Sequence, residues 1–106
     1  MVLRRTNLIS QKKITISGSK SISNRLLILQ SIFPNITIKN QSTSDDTKYL
    51  SIALKSSSNK INIGHAGTAM RFLTSYFSVK KNSKVEIYGS KRMHKRPISI
   101  LVKSLI

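Results

Sequence analysis

One pattern, repeated three times, limits what this chain can fold into. A short run alternating polar and apolar residues leads into a turn of small residues carrying a cation, and the turn leads into a run with apolar residues at helical spacing. The turns lie at residues 18–25, 64–71 and 89–97. Alternation at period two is the mark of a strand, and spacing of three to four is the mark of a helix. The chain therefore reads as repeated strand–helix units, an α/β (α+β) arrangement in which helices cover a mixed sheet.

In chain order, Val2-Leu3 and Leu8-Ile9 allow a short first strand, and residues 13–17 predict a strand at period two. A first helix is expected over residues 20–33, with Ile22, Leu26, Leu29 and Phe33 as its buried stripe, ended by Pro34 because proline disfavours helix in the residue before it. Residues 36–39 alternate again and predict a second strand. Ser44 is a good N-cap, and Asp45 and Asp46 suit the positive end of a helix running to about residue 56. Its stripe is Tyr49, Leu50, Ala53 and Leu54. Residues 60–63 predict a third strand. The helix after Gly64-His65-Ala66-Gly67-Thr68 carries Met70, Phe72, Leu73, Tyr76 and Phe77, which read as core. Residues 84–88 predict a further strand. Pro97 fits the first position of a last helix through Ile98, Leu101, Val102 and Leu105. That helix stops at Ile106 with no capping residue behind it, which suggests a chain cut short.

Each turn brings free helix N-terminal amides together with Lys or Arg, a combination that favours anions. Strands that feed helices returning to one sheet would gather the turns at a single sheet edge, where ligands of open α/β sheets bind. The candidate cations are Lys20, Arg25, Arg71, Arg92 and Arg96. Ser21 and Arg25 lie four residues apart, and a helical side chain leans toward the N-terminus, so Arg25 reaches back toward Ser21 and Lys20. Gly67 leaves room for close approach to the backbone. Binding of a phosphorylated small molecule is the reading these residues support. Gly-Ser-Lys-Ser lacks the spacing of a nucleotide phosphate loop, so nucleotide hydrolysis is rejected. Asp45 and Asp46 read as cap and dipole partners and not as a catalytic pair, because adjacent residues on a helix point apart.

Composition narrows the classes. The 19 Lys and Arg against 3 Asp and Glu give a net charge of +16, which raises the alternative of a basic nucleic-acid-binding module. The lysines are scattered, however, and the abundance of Ile, Lys, Asn and Ser matches the bias of an AT-rich genome, so nucleic acid is the less favoured partner. There is no cysteine, which excludes disulfides and thiolate metal sites. His65 and His94 are not spaced as metal ligands. No apolar run approaches the roughly 20 residues of a membrane helix, and residues 1–5 have no apolar core of a secretory signal behind them. A cytoplasmic location is the default.

Four motifs stand in order: Gly18-Ser19-Lys20-Ser21-Ile22-Ser23-Asn24-Arg25, Ser44-Asp45-Asp46, Gly67-Thr68-Ala69-Met70-Arg71, and Arg92-Met93-His94-Lys95-Arg96-Pro97-Ile98. Together they resemble the 3-phosphoshikimate 1-carboxyvinyltransferase (EPSP synthase) family over nearly the whole chain from residue 13. The sister family acting on UDP-N-acetylglucosamine lacks the first run. The resemblance implies transfer of the enolpyruvyl group of phosphoenolpyruvate to the 5-hydroxyl of shikimate 3-phosphate, with release of phosphate, by addition and then elimination and with no metal or organic cofactor. It implies that Lys20, Ser21 and Arg25 bind shikimate 3-phosphate and that Lys20, Gly67 and Arg96 bind phosphoenolpyruvate. Lys20 would bridge both substrates and assist proton transfer, and Thr68, Arg71 and Arg92 are further candidates. It also implies the inside-out α/β barrel of the enolpyruvyl transferases, here incomplete. Residues 1–17 would be a strand region of the other domain, and 18–106 part of a substrate-binding domain, the remainder of the enzyme being a missing partner. Members often have Asn where His65 stands and Pro where Phe72 stands, and the segment before Gly64 looks shorter here.

Overall fold

The computed structural model describes residues 1–7 and 10–106. Its elements in chain order are α1 (Lys20–Ile32), α2 (Asp45–Lys55), β1 (Lys60–Asn62), α3 (Gly67–Val79), β2 (Glu86–Tyr88), α4 (Lys91–His94) and α5 (Ser99–Leu105). Helices α1 and α2 start where a hydroxyl caps them. The Ser19 side chain accepts from the amide of Ile22, and the Ser44 side chain accepts from that of Thr47.

The sheet is parallel and not mixed. β1 and β2 pair with Lys60 opposite Glu86, Ile61 opposite Ile87 and Asn62 opposite Tyr88, and α3 is the crossover between them. Further bonds extend the ladder at both ends, from Glu86 N to Asn59 O, from Ile63 N to Tyr88 O and from Ser90 N to Gly64 O. The turns after the two strands therefore lie side by side, as expected for an α/β sheet edge.

The core is built from α2, β1 and α3. Leu50, Ile63, Ala66, Ala69 and Leu73 are fully buried, joined by Leu27, Ala53, Ile61, Met70 and Met93. α1 departs from the expected stripe. Ile22, Leu29 and Phe33 are exposed, and the helix turns Ser23, Asn24 and Leu27 inward instead. Apolar residues lie on several sides of α1, so spacing alone does not select the packed face. What selects it is a set of polar contacts to the segment leading into α2. Ser42 N donates to Ser23 Oγ at 2.9 Å, and Thr47 Oγ1 donates to Asn24 Oδ1 at 2.8 Å.

Two expected strands are not formed. Residues 13–17 have no paired neighbour among the described residues, and Ile14 and Ile16 are exposed. Alternation gives a strand its shape, but a hydrogen-bonded partner makes it one. In residues 36–39 the backbone is engaged locally, since Ile36 N donates to Phe33 O and Gln30 Nε2 donates to Ile36 O. Residues 1–7 form no strand either, and Leu8-Ile9 lie outside the described residues. The last helix begins later than expected. Ser90 caps the short helix α4 within what was read as a turn, and α5 follows with Ile98, not Pro97, at its start.

Candidate functional site

The first turns of α1, α2 and α3 meet at Asp46. Its Oδ1 accepts from the amide of Thr68 at 3.0 Å, and its Oδ2 lies 4.0 Å from Lys20 Nζ. Lys20 heads α1, Asp46 lies in the first turn of α2 and Thr68 in that of α3. One carboxylate thus links three helix beginnings that are separated in sequence by more than twenty residues at each step.

Arg96 completes this neighbourhood. It follows α4, and its side chain lies across Gly67, the first residue of α3. A Cβ at Gly67 would run into Arg96 Nη1 and would stand 2.9 Å from Cζ. Glycine leaves room there for the guanidinium, which occupies the space a methyl group would fill. The Gly18 turn is tight for a different reason, since a Cβ there would collide with the backbone carbonyl of Asn40. Lys20, Gly67 and Arg96, the set assigned to phosphoenolpyruvate by resemblance, are therefore neighbours around Asp46 and Thr68.

The remaining candidates divide. Arg25 folds back along α1, with Nη1 donating to the backbone carbonyl of Ser21 at 2.8 Å and the guanidinium 5.8 Å from the ring centre of Phe72. This is the reach toward the helix start expected from side-chain direction. Arg71 is engaged by backbone, donating to Gly67 O at 3.3 Å and to Pro97 O at 2.8 Å. It braces α3 against the segment that carries Arg96. Arg92 is exposed on α4, and its side chain has no hydrogen-bond or ionic partner among the described residues. His65 turns to Asp45, with Nε2 3.4 Å from Oδ2, and makes an edge contact with Tyr49.

Cations dominate the site, with Lys20 beside Asp46 and Arg96 over Gly67, while Arg25 lies back along α1. Cations fixed in place stabilise an anion better than freely moving ones do, because they need less reorganisation when it arrives. Two residues were not assigned their roles from sequence. Asp46 was read as a dipole partner of its own helix, and Asn24 stood in the first motif with no role given to it.

The sequence profile of the EPSP synthase (3-phosphoshikimate 1-carboxyvinyltransferase) family matches residues 51–106. The chain is 43% identical to the 3-phosphoshikimate 1-carboxyvinyltransferase of Buchnera aphidicola subsp. Cinara cedri, over 90% of this chain and 28% of that protein. It is 46% identical to the Bacteroides fragilis enzyme of the same name, over 91% of this chain and 24% of that one. The pentafunctional AROM polypeptide of Candida tropicalis is 37% identical, over 87% of this chain and 8% of its own length. The chain thus spans about a quarter of the length of the first two relatives. No solved structure matches it.

Proposed function

The chain belongs to the EPSP synthase (3-phosphoshikimate 1-carboxyvinyltransferase) family, and from that we propose that it supplies part of the substrate site for enolpyruvyl transfer from phosphoenolpyruvate to the 5-hydroxyl of shikimate 3-phosphate. In this reading Lys20, Ser21 and Arg25 take shikimate 3-phosphate, while Lys20, Gly67 and Arg96 take phosphoenolpyruvate. The 5-hydroxyl of shikimate 3-phosphate gives up its proton and its oxygen adds to the substituted enol carbon, while the neighbouring carbon gains a proton. Loss of a proton then restores the double bond as the carbon–oxygen bond to phosphate breaks. Lys20, shared by both substrates, assists a proton transfer. Residues 18–106 form part of a substrate-binding domain of the inside-out barrel type, and residues 1–17 belong with sheet outside this chain.

The observation that carries the reading is the seat of Arg96 over Gly67 beside the Asp46 link to Lys20. Two substrates each bearing several negative charges must be held within a few ångströms of each other. Charges at such separations repel by about 1 kcal/mol even in water, and by more away from it, so a cluster of fixed cations is the requirement a site of this kind must meet. No helix among the described residues is long and apolar enough to cross a membrane.

A thermal-stability titration of this chain at two salt concentrations tests the reading. Shikimate 3-phosphate should raise the melting temperature, and Lys20→Ala should remove the rise. A nucleic-acid module would instead bind RNA with an affinity falling steeply with salt and indifferent to that one change. Absence of any response to shikimate 3-phosphate, together with such RNA binding, would overturn the proposal. The 106 residues alone should show no turnover, because relatives about four times as long carry the activity their names describe.

A further inference from the structure

A carboxylate in the middle of an anion site works against the anion, so the presence of Asp46 between Lys20 and Thr68 needs a reason. Its own helix does not need it, because Ser44 already caps α2. Helix α3 does need a cap. Its N-cap residue is Ala66, which has no side-chain acceptor to offer. The amides of Ala66, Gly67 and Met70 are met by the backbone carbonyls of Ile63, His65 and Ala66. The amide of Thr68 is met by Asp46. The Asp46 side chain is 19% exposed, against 57% for its neighbour Asp45.

We propose that Asp46 is a positioning residue of this site, capping α3 from a different helix so that the Gly67–Thr68 turn, with Arg96 laid over it, stands at a fixed distance from Lys20. The inference rests on the anion-binding reading given under the preceding heading. Oδ1 performs the capping and Oδ2 faces the ammonium. At 4.0 Å, with the Lys20 side chain 46% exposed, the ion pair contributes little to stability; its effect is to keep the ammonium on the α2 side of the turn. The gain to an anion from ordered donors outweighs the repulsion from one carboxylate already committed to a hydrogen bond.

The two roles of Asp46 predict opposite signs. If Asp46 only opposed the anion, removing it would strengthen binding. As a cap in trans, its removal weakens binding, and an amide that still accepts from Thr68 restores it. The test uses the 106-residue chain, Asp46→Ala and Asp46→Asn, with shikimate 3-phosphate and inorganic phosphate as probes well below the melting temperature. Amide hydrogen exchange is followed by NMR on the same samples. Asp46→Ala should weaken binding about tenfold, and Asp46→Asn should stay within about threefold of the parent. Exchange at Thr68 should be protected at least about tenfold in the parent, lost in Asp46→Ala and largely kept in Asp46→Asn. Equal or tighter binding by a folded Asp46→Ala overturns the proposal. So does an unprotected Thr68 in the parent, even if Asp46→Ala fails to fold. A parent chain that binds neither probe refutes the functional reading, and exchange at Thr68 then still decides the cap.

Discussion

Gly67 shows how much one absent methyl group can determine. The residue opens α3, a position where alanine is an acceptable choice for the helix, and the obstacle to alanine is the Arg96 side chain. A guanidinium on a long flexible stem can move aside, so Gly67→Ala should leave the fold intact. Its melting temperature should equal or slightly exceed that of the parent, since alanine reduces the freedom of the unfolded chain. Affinity for phosphoenolpyruvate, measured calorimetrically, should fall about tenfold, as in Arg96→Ala, a loss of about 1.4 kcal/mol. Loss of stability with unchanged affinity would show that Arg96 is not a ligand. At this scale the sequence was informative where residue type carries the chemistry. Residue type alone offered Lys20, Arg25, Arg71, Arg92 and Arg96 as candidate cations and Gly67 as an open stretch of backbone, and the structure brings Arg96 to Gly67 and Lys20 to Asp46. The address of Asp46 was not legible, because the amide it caps lies 22 residues away and only the packing of α2 on α3 brings the two together.

Among the elements, α1 makes the same division. Its existence and bounds follow from its spacing and caps, but its packed side does not. Ile22, Leu29 and Phe33 look outward, while Asn24, fully buried, holds the hydroxyl of Thr47. Thr47 in turn lies 2.9 Å from the Ser44 hydroxyl that caps α2, so a polar residue in α1 steadies the helix that presents Asp46. Asn24→Ala should therefore cost about 1 kcal/mol in chemical denaturation, through loss of the hydrogen bond to Thr47, whose hydroxyl keeps Ser44 as a partner. Leu29→Ala, on the open face, should stay within about 0.5 kcal/mol. The reverse order would restore the expected stripe as the buried one. The strands divide likewise. The runs at 60–63 and 84–88 became β1 and β2 because α3 returns the chain alongside itself. The runs at 13–17 and 36–39 have the same alternation without a neighbour, and alternation carries no information about partners.

For the whole molecule, the radius of gyration is 17.7 Å, against about 13 Å for a compact domain of this length. Both ends contribute open chain: α5 buries no residue, and residues 1–7 and 10–17 are all exposed, with Ser17 bonded among the described residues to its neighbour Gly18 alone. The core described above draws nothing from those residues. A protease should therefore distinguish the two parts. Arg4, Arg5, Lys12 and Lys13 offer trypsin four sites on a long exposed run at the terminus, where cleavage concentrates, and Lys39, Lys81 and Lys84 lie exposed in the short loops between packed elements, whereas cleavage at Lys20 or Lys48 requires α1 or α2 to open first. Limited trypsinolysis followed by mass spectrometry should give an early product beginning at Ile14 or close to it, and that product should melt within about 2 °C of the intact chain, because no buried contact has been lost. If shikimate 3-phosphate binds as proposed, it should slow the later cleavage after Lys20 without altering the early cuts, because a ligand of the folded part opposes its opening alone. Early cleavage at Lys20 in the unliganded chain would mean that the start of α1 is not held by Asp46 and the buried Ser23–Asn24 contacts, and the site could not then be preformed. A large fall in melting temperature after loss of the first thirteen residues would show that the N-terminal region supports the core despite its exposure.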